Sequence, residues 1–174
     1  ELAKTFQGWI DGVLTADQPV QDEILLVNMI WAIDYADFDY AIQLAEFALR
    51  HGLTMPERHN RTVACFLAED IAELALKSPE AVSHEVLVKV FTLTSGADMP
   101  DPAKAKLLKA LGRSWVRRAD DFNPAADNAP AGGAAAYLHQ AQAMFERALA
   151  LDEKSGVKTD IKTLAKRLQA APAS

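Results

Sequence analysis

The chain lacks the features of a secreted or membrane-spanning protein. It contains one cysteine, Cys65, so it cannot form an internal disulfide and a reducing compartment is expected. Its longest apolar stretch, residues 24–33, is too short to cross a bilayer and is interrupted by Asn28. No positively charged leader precedes this stretch. The sequence therefore argues that this chain is not a secreted protein, a transmembrane protein or a small domain stabilised by disulfides.

Several catalytic signatures are missing as well. The sequence has neither a Walker A pattern nor a glycine-rich dinucleotide loop, and the adjacent glycines Gly132 and Gly133 are not followed by the lysine that a phosphate-binding loop needs. The four histidines are scattered, with no i, i+4 partner and no cysteine at metal-ligand spacing. No cofactor is predicted, and this stretch of chain is not expected to be an ATPase.

Charge is distributed unevenly along the chain. Residues 1–99 contain 6 basic and 16 acidic side chains, whereas residues 100–174 contain 12 basic and 8 acidic ones. The net charge of the whole chain is −6, so we expect it to bind a phosphate backbone weakly by itself. The first residue is Glu1 and not methionine, and we expect that upstream residues have been removed.

Apolar residues recur at helical spacing almost from end to end, and no alternating strand pattern lasts more than a few residues. A chain of 174 residues, half of them apolar, suits one domain with a full core. We predict an all-α fold of about eight helices packed as antiparallel hairpins, in a single domain over residues 1–174. The first helix is predicted to have one apolar face, formed by Leu2, Phe6, Trp9, Ile10 and Val13.

Short polar side chains, first-turn prolines and glycines predict where the helices begin and end. The predicted beginnings are at Asp17, Asp37, Asn60, Ser78-Pro79 and Asp101-Pro102. Gly52 is predicted to follow a helix in the left-handed conformation, and Gly156 to separate the last two helices. The last three helices are predicted over residues 103–118, 134–151 and 157–170, with a Pro/Ala-rich loop over residues 123–133.

Two of these helices carry small residues where they would meet. Small residues let helices approach closely, and aromatic rings fill the groove between them. The pattern resembles one tetratricopeptide-type repeat, interrupted by the predicted loop. We therefore predict a tetratricopeptide-like hairpin plus a final helix over residues 103–170. The residues that carry the pattern are Leu111, Gly112, Trp115, Ala141, Phe145, Ala148, Leu149, Leu151 and Asp152.

Three carboxylates, Asp34, Asp37 and Asp39, crowd between the second and third helices. Two-metal nucleases use clustered carboxylates to hold Mg²⁺ beside the scissile phosphate. The alternative is a helix junction in which Asp37 is an N-cap and the other two are solvated, and this alternative is favoured. Magnesium is expected only if the cluster is a nuclease site.

Two basic stripes are candidate binding surfaces. One runs along the sixth helix and includes Lys106 and Arg113. The other repeats every four residues through Lys154, Lys158, Lys162 and Lys166. Of these, Lys158, Lys162 and Lys166 lie on the last helix and advance by about 40° around its axis at each step. Each stripe can engage phosphates or an acidic partner, or can be a solvated helix face. For the second stripe an acidic protein partner is favoured, because the chain as a whole is acidic.

Short motifs follow one another in a specific order over roughly residues 20–170. They are Trp31-Ala32-Ile33-Asp34, Asp37-Phe38-Asp39-Tyr40-Ala41, Ala48-Leu49-Arg50, His51-Gly52-Leu53, Met55-Pro56, Arg58, Arg61-Thr62, Ala68-Glu69, Ile71-Ala72-Glu73, Met99-Pro100-Asp101, Ala103-Lys104-Ala105-Lys106-Leu107, Lys109-Ala110-Leu111-Gly112-Arg113, Gly156-Val157-Lys158 and Asp160-Ile161. In this order they resemble the small, or endonuclease, terminase subunit of tailed phages.

This resemblance implies a role in viral DNA packaging in the cytoplasm of the bacterial host. In that family the small subunit recognises viral double-stranded DNA and works with a large ATPase subunit, which translocates the DNA. The resemblance also implies a homo-oligomer, no membrane association, and DNA contacts mainly in residues upstream of this chain. The candidate DNA- or partner-binding residues here are Arg58, Arg61, Lys106, Arg113, Lys158, Lys162 and Lys166.

Two questions stay open at the level of sequence. The family carries an endonuclease label, yet no self-sufficient nuclease or ATPase site is visible in these residues. A helical-repeat-like adaptor that binds only protein partners is the alternative function. Salt-sensitive DNA binding would distinguish the two, because it follows from counterion release.

Overall fold

The computed structural model describes residues 5–126 and 129–170, and within these ranges the chain is helical with no β-strand. This confirms the predicted all-α fold. Leu2, assigned above to the first helix, lies outside the described residues. The prediction is wrong for Trp9 of the same apolar face, which is 59% exposed and donates to the Asp22 carboxylate at 2.8 Å, whereas Ile10 is fully buried. No helix in the described ranges is long and apolar enough to cross a bilayer. The helices are α1 (Gln7–Ala16), α2 (Glu23–Asp34), α3 (Phe38–Arg50), α4 (Val63–Lys77), α5 (His84–Thr94), α6 (Asp101–Asp120), α7 (Gly133–Leu151) and α8 (Lys158–Ala170).

Local signals place some boundaries correctly. The Asp37 carboxylate accepts a hydrogen bond from the Tyr40 amide and caps α3, as predicted. Gly52 follows α3 with φ 66°, a left-handed conformation that costs a residue without a Cβ little. Gly156 lies in the turn between α7 and α8, with φ 75°. The last three helices begin and end within two residues of their predicted limits.

The predicted N-cap at Asp17 is wrong. Asp17 ends α1 in the left-handed conformation, and its carboxylate lies 2.7 Å from both Arg50 Nη2 and His51 Nε2 at the end of α3. The cap of α2 is Asp22, whose carboxylate accepts from the Leu25 amide. Tertiary ion pairing therefore competes with local capping for Asp17.

The predicted starts of α4 and α5 are also wrong, and in both cases the helix begins later. Thr62 caps α4 in place of Asn60, and Ser83 caps α5 in place of Ser78. Ser83 allows Val82, which precedes the cap, to be buried together with Leu87. This arrangement is a hydrophobic staple, which fixes the direction in which the chain enters the helix.

The start of α6 differs from its prediction in a smaller way. Asp101 is itself the first helical residue, and Pro100 is the N-cap without a side-chain hydrogen bond. Pro102 still lies in the first turn, where its missing N–H leaves no helical bond unmade.

Buried apolar side chains form two clusters that share α6. The first cluster joins side chains of α1 to α5 with one side of α6, and the second joins the other side of α6 with α7 and α8. Phe91, Trp115 and Met144 pack against both clusters. The helix α6 is therefore the element through which the two parts of the core are connected.

The helices α6 and α7 are antiparallel and closely packed. Trp115 stacks on Tyr137, with ring centroids 5.5 Å apart, while near the other end Lys104 and Leu151 line one small cavity. Between these contacts, Gly112 lies directly against the ring of Phe145. The predicted close approach at Gly112 is thus observed, but a tetratricopeptide-type repeat as such is not confirmed.

Ion pairs fix the register of α8 beside α6. Arg113 donates two hydrogen bonds to the Asp160 carboxylate, and Arg167 lies 2.6 Å from Asp120 Oδ1. In both pairs the residue of α8 comes 47 positions after its partner on α6. Because the separation is the same at both points, the two helices run in the same direction. Leu164, which is 2% exposed, fills the space beneath α8.

Candidate functional site

The three acidic residues proposed above as a nuclease site do not share a pocket. Asp34 lines a groove with Asp70 and Glu73 of α4. Asp39 lies 2.6 Å from Lys89 of α5 and lines a different groove. Among the described residues, no group of three or more His, Cys, Asp or Glu side chains could hold a metal ion. The geometry matches the helix junction, with Asp37 as its cap.

Several of the candidate basic residues are engaged inside the molecule. Arg61 Nη1 lies 3.1 Å from Glu69 Oε2 and 2.8 Å from Asp70 Oδ1. Its guanidinium also covers the ring of Phe66 at 4.5 Å from the centroid. Lys106 lies 3.7 Å from carboxylate oxygens of Glu69 and Glu73. These groups tie α4 to α6 and to the turn before α4, which is a structural use of their charge.

Cys65 belongs to the same network. Its side chain is buried, and its thiol lies 3.6 Å from Glu69 Oε2. Burial and the neighbouring Glu69 carboxylate raise the pKa of the Cys65 thiol, which disfavours the reactive thiolate. Cys65 is therefore a small buried side chain within this network.

The candidate residues of α8 have a different environment. Lys158, Lys162 and Lys166 project from the side of α8 opposite Leu164, and all three are exposed. Thr159 and Thr163 are also exposed and lie along one flank of the three lysines. We call these five residues the lysine face. None of the three ammonium groups forms an ion pair or hydrogen bond with another residue in the described ranges.

Arg58 is the other exposed member of the candidate set. It lies in the turn between α3 and α4 and donates to the neighbouring His59 ring at 3.2 Å. This turn joins helices of the first core cluster, whereas the lysine face belongs to α8, which packs in the second cluster. Four of the seven candidates are therefore exposed, whereas Arg61, Lys106 and Arg113 are held in ion pairs.

Sequence reasoning missed two features because they join distant parts of the chain. One is the pairing of α8 with α6 through Arg113 and Asp160. The other is an open groove of about 470 Å³ between α3 and α5, lined by apolar and charged side chains. No pattern among residues that are close in the sequence indicates either feature. The residues that line the groove are Asp39, Ile42, Gln43, Glu46, Val88, Lys89, Thr92 and Leu93.

His84 occupies a partly buried polar site between α5 and α6. The Ser114 hydroxyl donates to the Leu111 carbonyl at 2.8 Å, which leaves its oxygen to accept from Nδ1–H of His84 at 2.8 Å. The imidazole packs edge-on against Trp115, with centroids 4.1 Å apart. Burial, assisted by the Arg118 charge, lowers the pKa of His84 below its usual value of 6.5.

This environment predicts an acid-sensitive stability. Because the pKa of His84 is lowered by folding, the unfolded chain binds the proton more tightly, and stability falls as the pH drops through about 6.5 and below. We expect thermal denaturation between pH 7.5 and 5.5 to show this loss, and His84→Gln to reduce it. His139→Gln is the matched control, since His139 is exposed. An equal pH dependence in both variants would contradict the assignment.

Comparison with known proteins finds a family to which this chain is similar. Residues 1–102 match the family model described as phage small terminase subunit. Over 175 aligned positions the chain is 35% identical to the protein named "Terminase, endonuclease subunit" of Escherichia phage P2. The alignment covers 99% of this chain and 64% of that relative, so the chain spans about two thirds of its length. No solved structure matches the chain significantly.

Proposed function

Because the chain belongs to the phage small terminase subunit family, we propose that it acts in the packaging of phage DNA. In this proposal the complete protein binds viral double-stranded DNA and acts together with the large ATPase subunit of the terminase. The observation that carries the proposal is the 35% identity to the P2 terminase subunit across 99% of the chain. The resemblance of the ordered motifs supports the same conclusion.

The folded core suits a subunit that positions partners. Its two core clusters share one long helix, α6, and an ion pair joins α8 to that helix. Surfaces on the first cluster and on α8 therefore keep fixed positions relative to each other. The P2 relative is named an endonuclease subunit. We do not assign cleavage to Asp34, Asp37 and Asp39, since they line different grooves. We further propose that the protein assembles as a homo-oligomer.

Co-expression with the large subunit tests this function. We expect the complete protein to co-purify with the large terminase subunit of the same phage. We also expect it to bind duplex DNA with an affinity that falls steeply as salt rises. Light scattering at micromolar concentration should show a mass above that of a monomer. Co-purification without any salt-sensitive DNA binding would favour the protein-binding adaptor instead.

A further inference from the structure

The charges of α8 are divided between its two sides. Asp160 and Arg167 face α6, and each is paired with a residue of opposite charge. The outer side carries the lysine face, with three cations and no carboxylate. Like charges four residues apart on a helix cost about 0.2–0.5 kcal/mol per pair. Nothing within the described residues compensates this cost, so the lysine face suits an anionic partner outside the fold.

The side chains of the lysine face favour a phosphate backbone over a protein surface. The cores of protein interfaces are rich in aromatic side chains and poor in lysine, and the lysine face contains neither an aromatic nor a large aliphatic residue. Lysine and threonine are both common donors to phosphate oxygens. From the sequence, an acidic protein partner was favoured because the chain as a whole is acidic. The composition of the exposed lysine face favours a phosphate backbone instead.

The spacing of the cations also fits duplex DNA. Lysines four residues apart are separated by about 6 Å along a helix axis, so the three ammonium groups cover about 12 Å. A duplex presents about one negative charge per 1.7 Å of its axis, which supplies several phosphates over that distance. Long lysine side chains can adjust to the phosphate positions because their four-carbon stems are flexible.

The net charge of −6 does not oppose such a contact locally. The acidic excess lies in residues 1–99, whereas α8 packs on α7 and is tied to α6. At physiological ionic strength the Debye length is about 8 Å, so distant exposed acids are largely screened from the lysine face. Its near neighbours Asp160 and Asp120 are already paired with arginines.

We propose that the lysine face of α8 binds the phosphate backbone of double-stranded DNA without sequence specificity. This inference rests on the proposed function in DNA packaging. The contact adds affinity for any duplex and helps to hold the DNA against the protein. Specific recognition of a viral sequence requires base contacts, which this surface does not need to supply.

Binding of a random-sequence duplex of about 30 base pairs to this chain tests the proposal, with fluorescence anisotropy measured across a series of salt concentrations. We compare the wild type with Lys158→Gln/Lys162→Gln/Lys166→Gln. Three lost phosphate contacts are expected to reduce the slope of log affinity against log salt by about 2.7. The Kd at 0.1 M salt should rise by more than about tenfold.

Two matched variants separate a local contact from total charge. Arg50→Gln/Lys77→Gln/Lys89→Gln changes the net charge equally but removes exposed cations of the acidic part of the chain. It should retain most of the wild-type slope. Replacing the three lysines of α8 with arginine should preserve DNA binding, since the charge remains. Circular dichroism should show unchanged folding, because the substitutions on α8 cost at most about 0.5 kcal/mol each and each exposed ion pair lost in the control is worth at most about 1 kcal/mol.

Three outcomes would overturn the proposal. If both glutamine triples lose affinity equally, the effect belongs to net charge. If the α8 triple keeps the wild-type salt slope but loses co-purification with the large subunit or self-association, the face binds protein. If the wild-type chain binds no duplex even at 50 mM salt, the face does not bind DNA. A role in packaging would survive each of these results, since co-purification of the complete protein tests it separately.

Discussion

Replacing Phe145 with alanine is expected to lower the free energy of unfolding by about 3–5 kcal/mol. The ring is fully buried in the second cluster, between α6 and α7. Its removal leaves a cavity in the middle of the hairpin, where neither helix can move closer without disturbing the stack of Trp115 on Tyr137. Urea denaturation at neutral pH measures the loss. A change below about 1 kcal/mol would show that this contact does not hold the hairpin together.

Gly112 provides the partner in a double-mutant cycle. A Cβ atom at this position would lie 2.5 Å from Cε1 of Phe145, well inside contact distance. Gly112→Ala is therefore expected to destabilise the wild type, with an overpacking cost of about 1–3 kcal/mol that outweighs the helical preference for alanine. In the Phe145→Ala background the same change should stabilise, because the clash is gone and a preference of about 1 kcal/mol remains. Additive effects would contradict the packing described for α6 and α7.

Leu164→Ala is expected to release α8 from the rest of the protein. Leu164 is the α8 side chain buried most completely among the described residues, and truncating such a leucine costs about 2–5 kcal/mol. Two ion pairs with partly exposed groups cannot replace it, since each is worth at most about 1 kcal/mol. Hydrogen exchange should show faster exchange in α8, while α4 in the first cluster stays protected.

Leu168→Ala is the control for this prediction. Leu168 packs against the same cluster but is only half-buried, so its truncation should have a smaller effect on α8. If Leu168→Ala releases α8 as fully as Leu164→Ala, the helix is held by its whole apolar side and not by one anchor. Uniform loss of protection in α4 and α8 would show that the two clusters unfold together.

The helices themselves were predictable because their signals are local. Apolar spacing and the loop composition placed α6, α7 and α8 within two residues of their observed limits. The capping residues were harder, because several polar residues compete within a few positions. Ser83 and not Ser78 caps α5 because Val82 and Leu87 are then both buried. That choice depends on the tertiary core, which short-range sequence patterns do not contain.

Short-range sequence patterns were also insufficient to identify the candidate binding surfaces. A repeat of four residues revealed Lys158, Lys162 and Lys166 as one exposed stripe. The same kind of pattern suggested Lys106 and Arg113 as a second stripe, yet Lys106 pairs with α4 and Arg113 with Asp160 of α8. Periodicity identifies which residues share a helix face. It does not show which distant element covers that face.

A role in DNA packaging predicts that particles assembled without this protein contain no protected DNA. The measurement is the amount of nuclease-protected DNA in particles assembled when the complete gene is disrupted by an early stop codon, with and without the wild-type protein supplied in trans. We expect assembled heads that lack protected DNA, and restoration of DNA-filled heads by the wild-type protein. DNA-filled heads at normal yield in the absence of the protein would contradict the proposed function.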